Sequence, residues 1–282
     1  MAIRARWALV GAAGCTGLLA ATWFAAFHVG IVRDADQSMF AGFYDLHSHG
    51  AIPRIASFVA PLCNPSPYVY FAAIPVLVAL GRGRPRVALA VAMILIGANV
   101  TTHWLKPLLA EPRAATLLGG FTTVSPKSWP SGHATAAMSL ALSSVIAAPA
   151  RRRPLVAAVG AVFALAVSYS FLTLGWHFPS DVLGGFLVAA AWALVAVAAL
   201  RAAESRIPRG AYTSARITVA EALGPLGVAA AGALALAGLV VLSRPHQVLA
   251  YAQGHRAFVV GAAAIAAASF ALSSAIVLTV RR

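Results

Sequence analysis

Residues 155–200 read LVAAVGAVFALAVSYSFLTLGWHFPSDVLGGFLVAAAWALVAVAAL. Two apolar runs, 155–174 and 181–200, flank a short polar turn that holds Trp176, His177, Pro179 and Ser180, with Asp181 opening the second run. A helix of about 20 apolar residues crosses the roughly 30 Å of bilayer hydrocarbon. Backbone amides left unpaired in lipid cost several kcal/mol each, so runs of this kind must be helical. The period-2 alternation of a membrane barrel is absent. Pro179 suits a first helical turn, where its missing N–H is no loss.

Outward from this hairpin the pattern repeats. Further apolar runs cover 7–32, 57–80, 87–105, 131–149, 222–243 and 257–280. Pro61, Pro65 and Pro67 interrupt the second of these. The first is longer than the 7–15-residue core of a cleaved signal, so a retained helix is expected. Residues 33–56 are too polar to span and are expected to form a short interfacial helix. The whole chain has 282 residues, 61% of them hydrophobic and 10% charged, against about 25% charged in soluble domains. The fold class expected is all-α, a polytopic transmembrane helix bundle without a separate soluble domain.

The net charge of +14 does not indicate nucleic acid, because the arginines sit in short clusters between apolar runs, as topogenic charges do. With the N-terminus inside, fourteen of the 21 Lys and Arg residues fall in cytoplasmic connections. This bias predicts that both termini are cytoplasmic. Cys15 and Cys63 have no motif spacing, which argues against a disulfide scaffold or zinc site. Asp45, His47 and His49 lack a second ligand cluster, so no metal is expected. Trp104, Trp129 and Trp176 near span ends fit an interfacial belt.

Three segments carry candidate chemistry, and the topology puts all three on the extracytoplasmic face. Lys106 and Arg113 are cations suited to phosphate oxygens, Arg through its planar fork of donors and Lys as a point charge. Ser131 and Gly132 fall at a helix N-terminus, where free N–H groups and the helix dipole favour an anion. His177 is a candidate nucleophile, with Asp181 one helical turn away to hold its ring. His133 can protonate a departing alkoxide. No metal or other cofactor is required. His103, one turn before Lys106, is expected to pack in the core.

These residues resemble the signature of the type-2 phosphatidic acid phosphatase and vanadium haloperoxidase superfamily, in its membrane lipid phosphatase branch. The first part of that signature is matched by Lys106 and Arg113 at the family spacing, the second by Pro130-Ser131-Gly132-His133, and the third by Ser170, His177 and Asp181. The resemblance implies a six-span phosphatase core over 1–210, with two additional transmembrane helices in 211–282. It implies a lipid phosphate substrate held by Lys106, Arg113, Ser131 and Gly132. It also implies a phosphohistidine on His177, with Asp181 orienting that ring and His133 protonating the leaving group. Family members act on phosphatidic acid, phosphatidylglycerol phosphate, or polyprenyl phosphates and diphosphates. Cell-membrane localisation follows from the same resemblance.

Two positions depart from the signature. Ala114 follows Arg113 where the family has Pro, and Phe171 stands where the family has a phosphate-binding Arg. Lys127, on the same loop as Pro130, is the candidate replacement cation. The missing Arg keeps two alternatives open: phosphoryl transfer to an alcohol, and a non-catalytic lipid-binding or transport protein. Haloperoxidase activity is disfavoured in a chain so rich in spans.

Overall fold

The computed structural model describes residues 2–112, 124–204 and 218–280. Eleven α-helices follow one another in chain order among these residues, with no strand. They are α1 (Ala2–His28), α2 (Gly30–Asp45), α3 (Ile52–Val59), α4 (Pro65–Gly81), α5 (Pro85–Leu108) and α6 (Gly132–Ala147). The second half contains α7 (Arg153–Thr173), α8 (Pro179–Glu204), α9 (Val219–Ser243), α10 (Pro245–Gly254) and α11 (Arg256–Val280). The protein is a multi-pass membrane protein. Six helices are long and apolar enough to cross a bilayer, and a seventh span arises if α3 and α4, bent by 61° at Asn64, act together.

Two of the eight expected spans take unexpected shapes. The proline-rich second span is this broken pair, because Pro65 cannot continue the turn that closes at Cys63. The run at 131–149 yields a helix of only 16 residues, about 24 Å long. Its Ala and Ser side chains let neighbours approach closely, and most of it is buried against α5, α7 and α8. Ala141 stands so near α7 that a Cβ on Gly160 would come within 2.8 Å of it.

The polar stretch after the first span is not merely interfacial. It folds into the 16-residue α2, whose Asp36, Gln37, Phe40 and Phe43 are buried. The C-terminal α11 packs against α2 and α7, whereas α9 lies almost wholly exposed on the surface, as a lipid-facing helix would.

Turn chemistry aims the key hairpin. α7 ends in a Schellman motif: Gly175 N–H donates to Leu172 O and Trp176 N–H to Phe171 O, each at 3.0 Å. Gly175 has φ +72, the left-handed conformation that favours glycine. Pro179 then begins α8 directly, so His177 is fixed in a tight link between two packed helices.

Candidate active site

Four helix ends meet at one end of the bundle: the C-termini of α5 and α7 and the N-termini of α6 and α8. Ser131 caps α6, its Oγ accepting from Ala134 N–H at 3.3 Å. Its own N–H donates to Asp181 O at 2.9 Å, so the backbone ties the second motif to the third. The approach is tight, since a Cβ on Gly185 would lie 2.6 Å from Ser131 O. Glycine at 185 is therefore what lets the two helix starts touch. A second tie runs from Thr135, whose Oγ1 donates to Ser131 O and lies 2.9 Å from Thr102 Oγ1 on α5.

His177 and Asp181 are both buried. His177 Nδ1 lies 3.2 Å from Asp181 Oδ2, and that same oxygen accepts from Phe178 N–H at 3.0 Å. The carboxylate thus performs two tasks. It closes the first turn of α8 as the acidic partner of a capping box does, and it fixes which face of the imidazole points away from it.

His133 stands across from His177, with ring centroids 6.2 Å apart. Its Nε2 pairs with Asn64 Oδ1 at 2.8 Å. Asn64 sits at the break between α3 and α4 and is followed by Pro65, whose ring keeps it extended. The Lys106 side chain, half-buried at the end of α5, completes the cluster: its Nζ lies 3.7 Å from where a Cβ on Gly132 would stand. A larger residue at 132 would crowd the ammonium. Lys106, Ser131, Gly132, His133, His177 and Asp181 are therefore neighbours in space. Arg113 lies outside the described residues.

Several expectations for individual residues change. Phe171 is fully buried, its ring 5.2 Å from His177 and 5.8 Å from His133. An aromatic ring beside both histidines stands at the position where the signature has a cation. Lys127 is exposed. Trp129 does not join an interfacial belt: it is fully buried, packed with Ala26 and Phe27 and lying against Gly184. Trp104 is exposed as expected, and Trp176 lies 5.5 Å from the His133 ring. His103 faces outward rather than into the core.

Asn64 and Asp36 were not foreseen as site residues. Asp36 Oδ1 accepts from Ser180 N–H at 2.9 Å, and Oδ2 from Ser180 Oγ at 2.6 Å. Neither residue belongs to a recurring motif, and no local spacing announces a contact made across so much of the chain.

What the arrangement can do follows from its parts. The α6 N-terminus presents free N–H groups and a positive dipole end beside a lysine ammonium, a cradle for a dianion. A buried imidazole braced by a carboxylate stands beside it, with a second imidazole opposite.

Comparisons with known proteins bear on the fold and on one segment of the chain. The PAP2 superfamily family model matches residues 86–204, which hold all three motifs. No curated protein matches the chain. A crystal structure described as the first transmembrane PAP2 type phosphatidylglycerolphosphate phosphatase, from Bacillus subtilis, shares the fold with a TM-score of 0.56 and 21% identity. The match covers 70% of this chain and 98% of that one. The segment similar to the PAP2 superfamily, 86–204, is the one that carries the α6 helix start and both histidines.

Proposed function

We propose that this protein is a lipid phosphatase that cleaves a phosphate monoester or diphosphate through a phosphohistidine. The observation that carries the proposal is the convergence of Lys106, the Ser131–Gly132 helix start and the His177–Asp181 pair at one bundle end. Asp181 holds Nδ1, so Nε2 of His177 supplies the electron pair that attacks phosphorus. The bond from phosphorus to the lipid oxygen breaks, and its electrons leave on that oxygen. His133, its ring steadied by Asn64, protonates the departing alkoxide. Water then attacks phosphorus while His133 takes its proton; the phosphorus–nitrogen bond breaks, its electron pair returns to Nε2 of His177, and phosphate leaves. Lys106, Ser131, Gly132 and Arg113 hold the phosphoryl oxygens as charge builds, a kind of stabilisation worth about 2.7–4 kcal/mol per donor.

The substrate is an amphiphile whose headgroup reaches the helix ends while its tail stays in lipid. Phosphatidylglycerol phosphate, phosphatidic acid and polyprenyl diphosphates share that chemistry. The arginine bias puts both termini in the cytoplasm and the site at the outer face of the cell membrane. Purified protein is expected to release phosphate from at least one of these lipids in the presence of EDTA. Inertness toward all of them would remove the hydrolase assignment.

Phe171 favours one further reading. An apolar ring beside both histidines, where the family has a cation, makes the surroundings of the phosphohistidine less polar, which favours an alcohol acceptor relative to water. Product analysis with labelled donor lipid separates the two: free phosphate indicates hydrolysis, and a new phosphoester indicates transfer.

A further inference from the structure

The turn that carries His177 is gripped from outside the superfamily segment. Asp36, Phe40 and Tyr44 stand four residues apart on α2, so they line one face of that helix. Asp36 takes both Ser180 bonds, from the N–H at 2.9 Å and from the Oγ at 2.6 Å. The Phe40 ring lies 4.7 Å from that of Phe178. The Tyr44 ring covers Gly175 so closely that a Cβ there would come within 2.8 Å of it. The three contacts span the link from the end of α7 to the first turn of α8.

The local chemistry explains why help is needed. Phe178 occupies the N-cap position of α8 and has no side-chain acceptor for the orphan N–H groups of the first turn. Asp36, itself buried at 5% exposure, supplies the acceptor from another helix. A carboxylate at that depth must be hydrogen-bonded to be tolerated, so the contact is firm in both directions. α2 is in turn backed by α11, where Gly42 abuts Phe258 and Gly261 abuts Met39.

We infer that Asp36 is a positioning residue for the phosphoryl-transfer step: it clamps the first turn of α8 through Ser180, so that Asp181 keeps His177 aimed at phosphorus. The inference rests on the phosphohistidine reading above. It gives α2 a part in turnover, and it gives α11 a part as the brace behind α2.

The test compares wild type, His177→Ala, Asp36→Ala, Asp36→Asn and Ser180→Ala as purified full-length proteins in dodecylmaltoside. Phosphate release is measured from phosphatidic acid, phosphatidylglycerol phosphate and farnesyl diphosphate, with thermal unfolding recorded for each variant. Asp36→Ala is expected to lower kcat by about 10- to 100-fold with KM within about twofold, the signature of misaimed rather than weakly bound reactants. Asp36→Asn, which keeps a good capping oxygen, is expected to recover most of kcat. Ser180→Ala, deleting only the hydroxyl bond, is expected to lower kcat by about fivefold. If Asp36→Ala cannot be recovered folded, Ser180→Ala decides: wild-type kcat there overturns the clamp. Wild-type kcat in Asp36→Ala, or a change confined to KM, overturns it too while leaving a dead His177→Ala and the phosphohistidine intact. An inert wild type, or an active His177→Ala, removes the phosphohistidine reading and the clamp with it.

Discussion

At one end of the bundle α6 and α8 begin, and the N–H groups that the helix ladders leave over face Asp181, Asp36 and the cradle beside Lys106. At the other end α6 and α11 finish, and the carbonyls that their ladders leave over accept from arginines. Arg82 Nη1 donates to Ala147 O at 2.6 Å and Arg153 Nε to Ala148 O at 3.3 Å. Arg153 also donates to Val280 O, and Arg201 to Thr279 O. Both ends meet the same requirement, that buried helix termini find partners. The arginine end meets it with donors of its own side chains, which closes it. At the other end the α6 start is capped by the Ser131 hydroxyl, which accepts from Ala134 N–H, and Lys106 stands beside it; the proposed phosphate would be held there. Arg82, Arg153 and Arg201, three of the arginines that mark topology in the sequence, therefore also cap helix C-termini, where the helix dipole favours them.

The contrast can be broken at either end. His177→Ala has the largest expected effect: kcat falls by about 10⁴-fold or more, as when a nucleophile acting in a unit is removed. Phosphate release from the best lipid substrate, measured alongside thermal unfolding, checks this, with the melting temperature expected to hold. Lys106→Met comes next. It removes the ammonium beside Gly132, and kcat/KM is expected to drop by about 10²- to 10³-fold. Retained activity would show that the cradle does without that cation. Smallest in turnover is Arg153→Met at the opposite end. It strips donors from the α6 and α11 carbonyls, so about 1–3 kcal/mol of stability is expected to be lost while kcat stays unchanged. A denaturation series in detergent measures the first quantity and steady-state kinetics the second. A large fall in kcat would mean that the two ends are coupled.

How much of this was legible beforehand depended on sequence distance. Helix class and the long spans followed from uninterrupted apolar runs, because lipid leaves the backbone no alternative. The His177–Asp181 contact was legible because the two lie only four positions apart across a proline-started helix, where an Asp in the first turn can reach back to the residues before it. The Ser131 cap was legible because Ser before an apolar run marks a helix start. Juxtaposition of the motifs was legible from their recognised order and from the arginine bias that puts all three on one membrane face. What escaped was long-range and polar. Asp36 meets Ser180 across 144 positions, and Asn64 meets His133 across 69. Neither carries a periodic signal, and an Asp in a polar stretch reads as solvated until the helix around it is seen to be buried. Trp129 escaped for the opposite reason: an aromatic beside a span end is ordinarily interfacial, and only the packing of Gly184 against it reveals a core residue. The shortness of α6 escaped because the apolar run beyond Ala147 continues in composition but not in helix.

The most direct measurement of the central claim is rapid acid-free quenching of enzyme turning over phosphatidylglycerol phosphate, followed by peptide mass spectrometry. A single phosphoryl group on the peptide holding His177, absent from His177→Ala and accumulating in a variant slowed at the water step, is the result predicted. Phosphate released at full rate with no phosphorylated histidine, or a phosphoryl group on any other residue, would contradict the account.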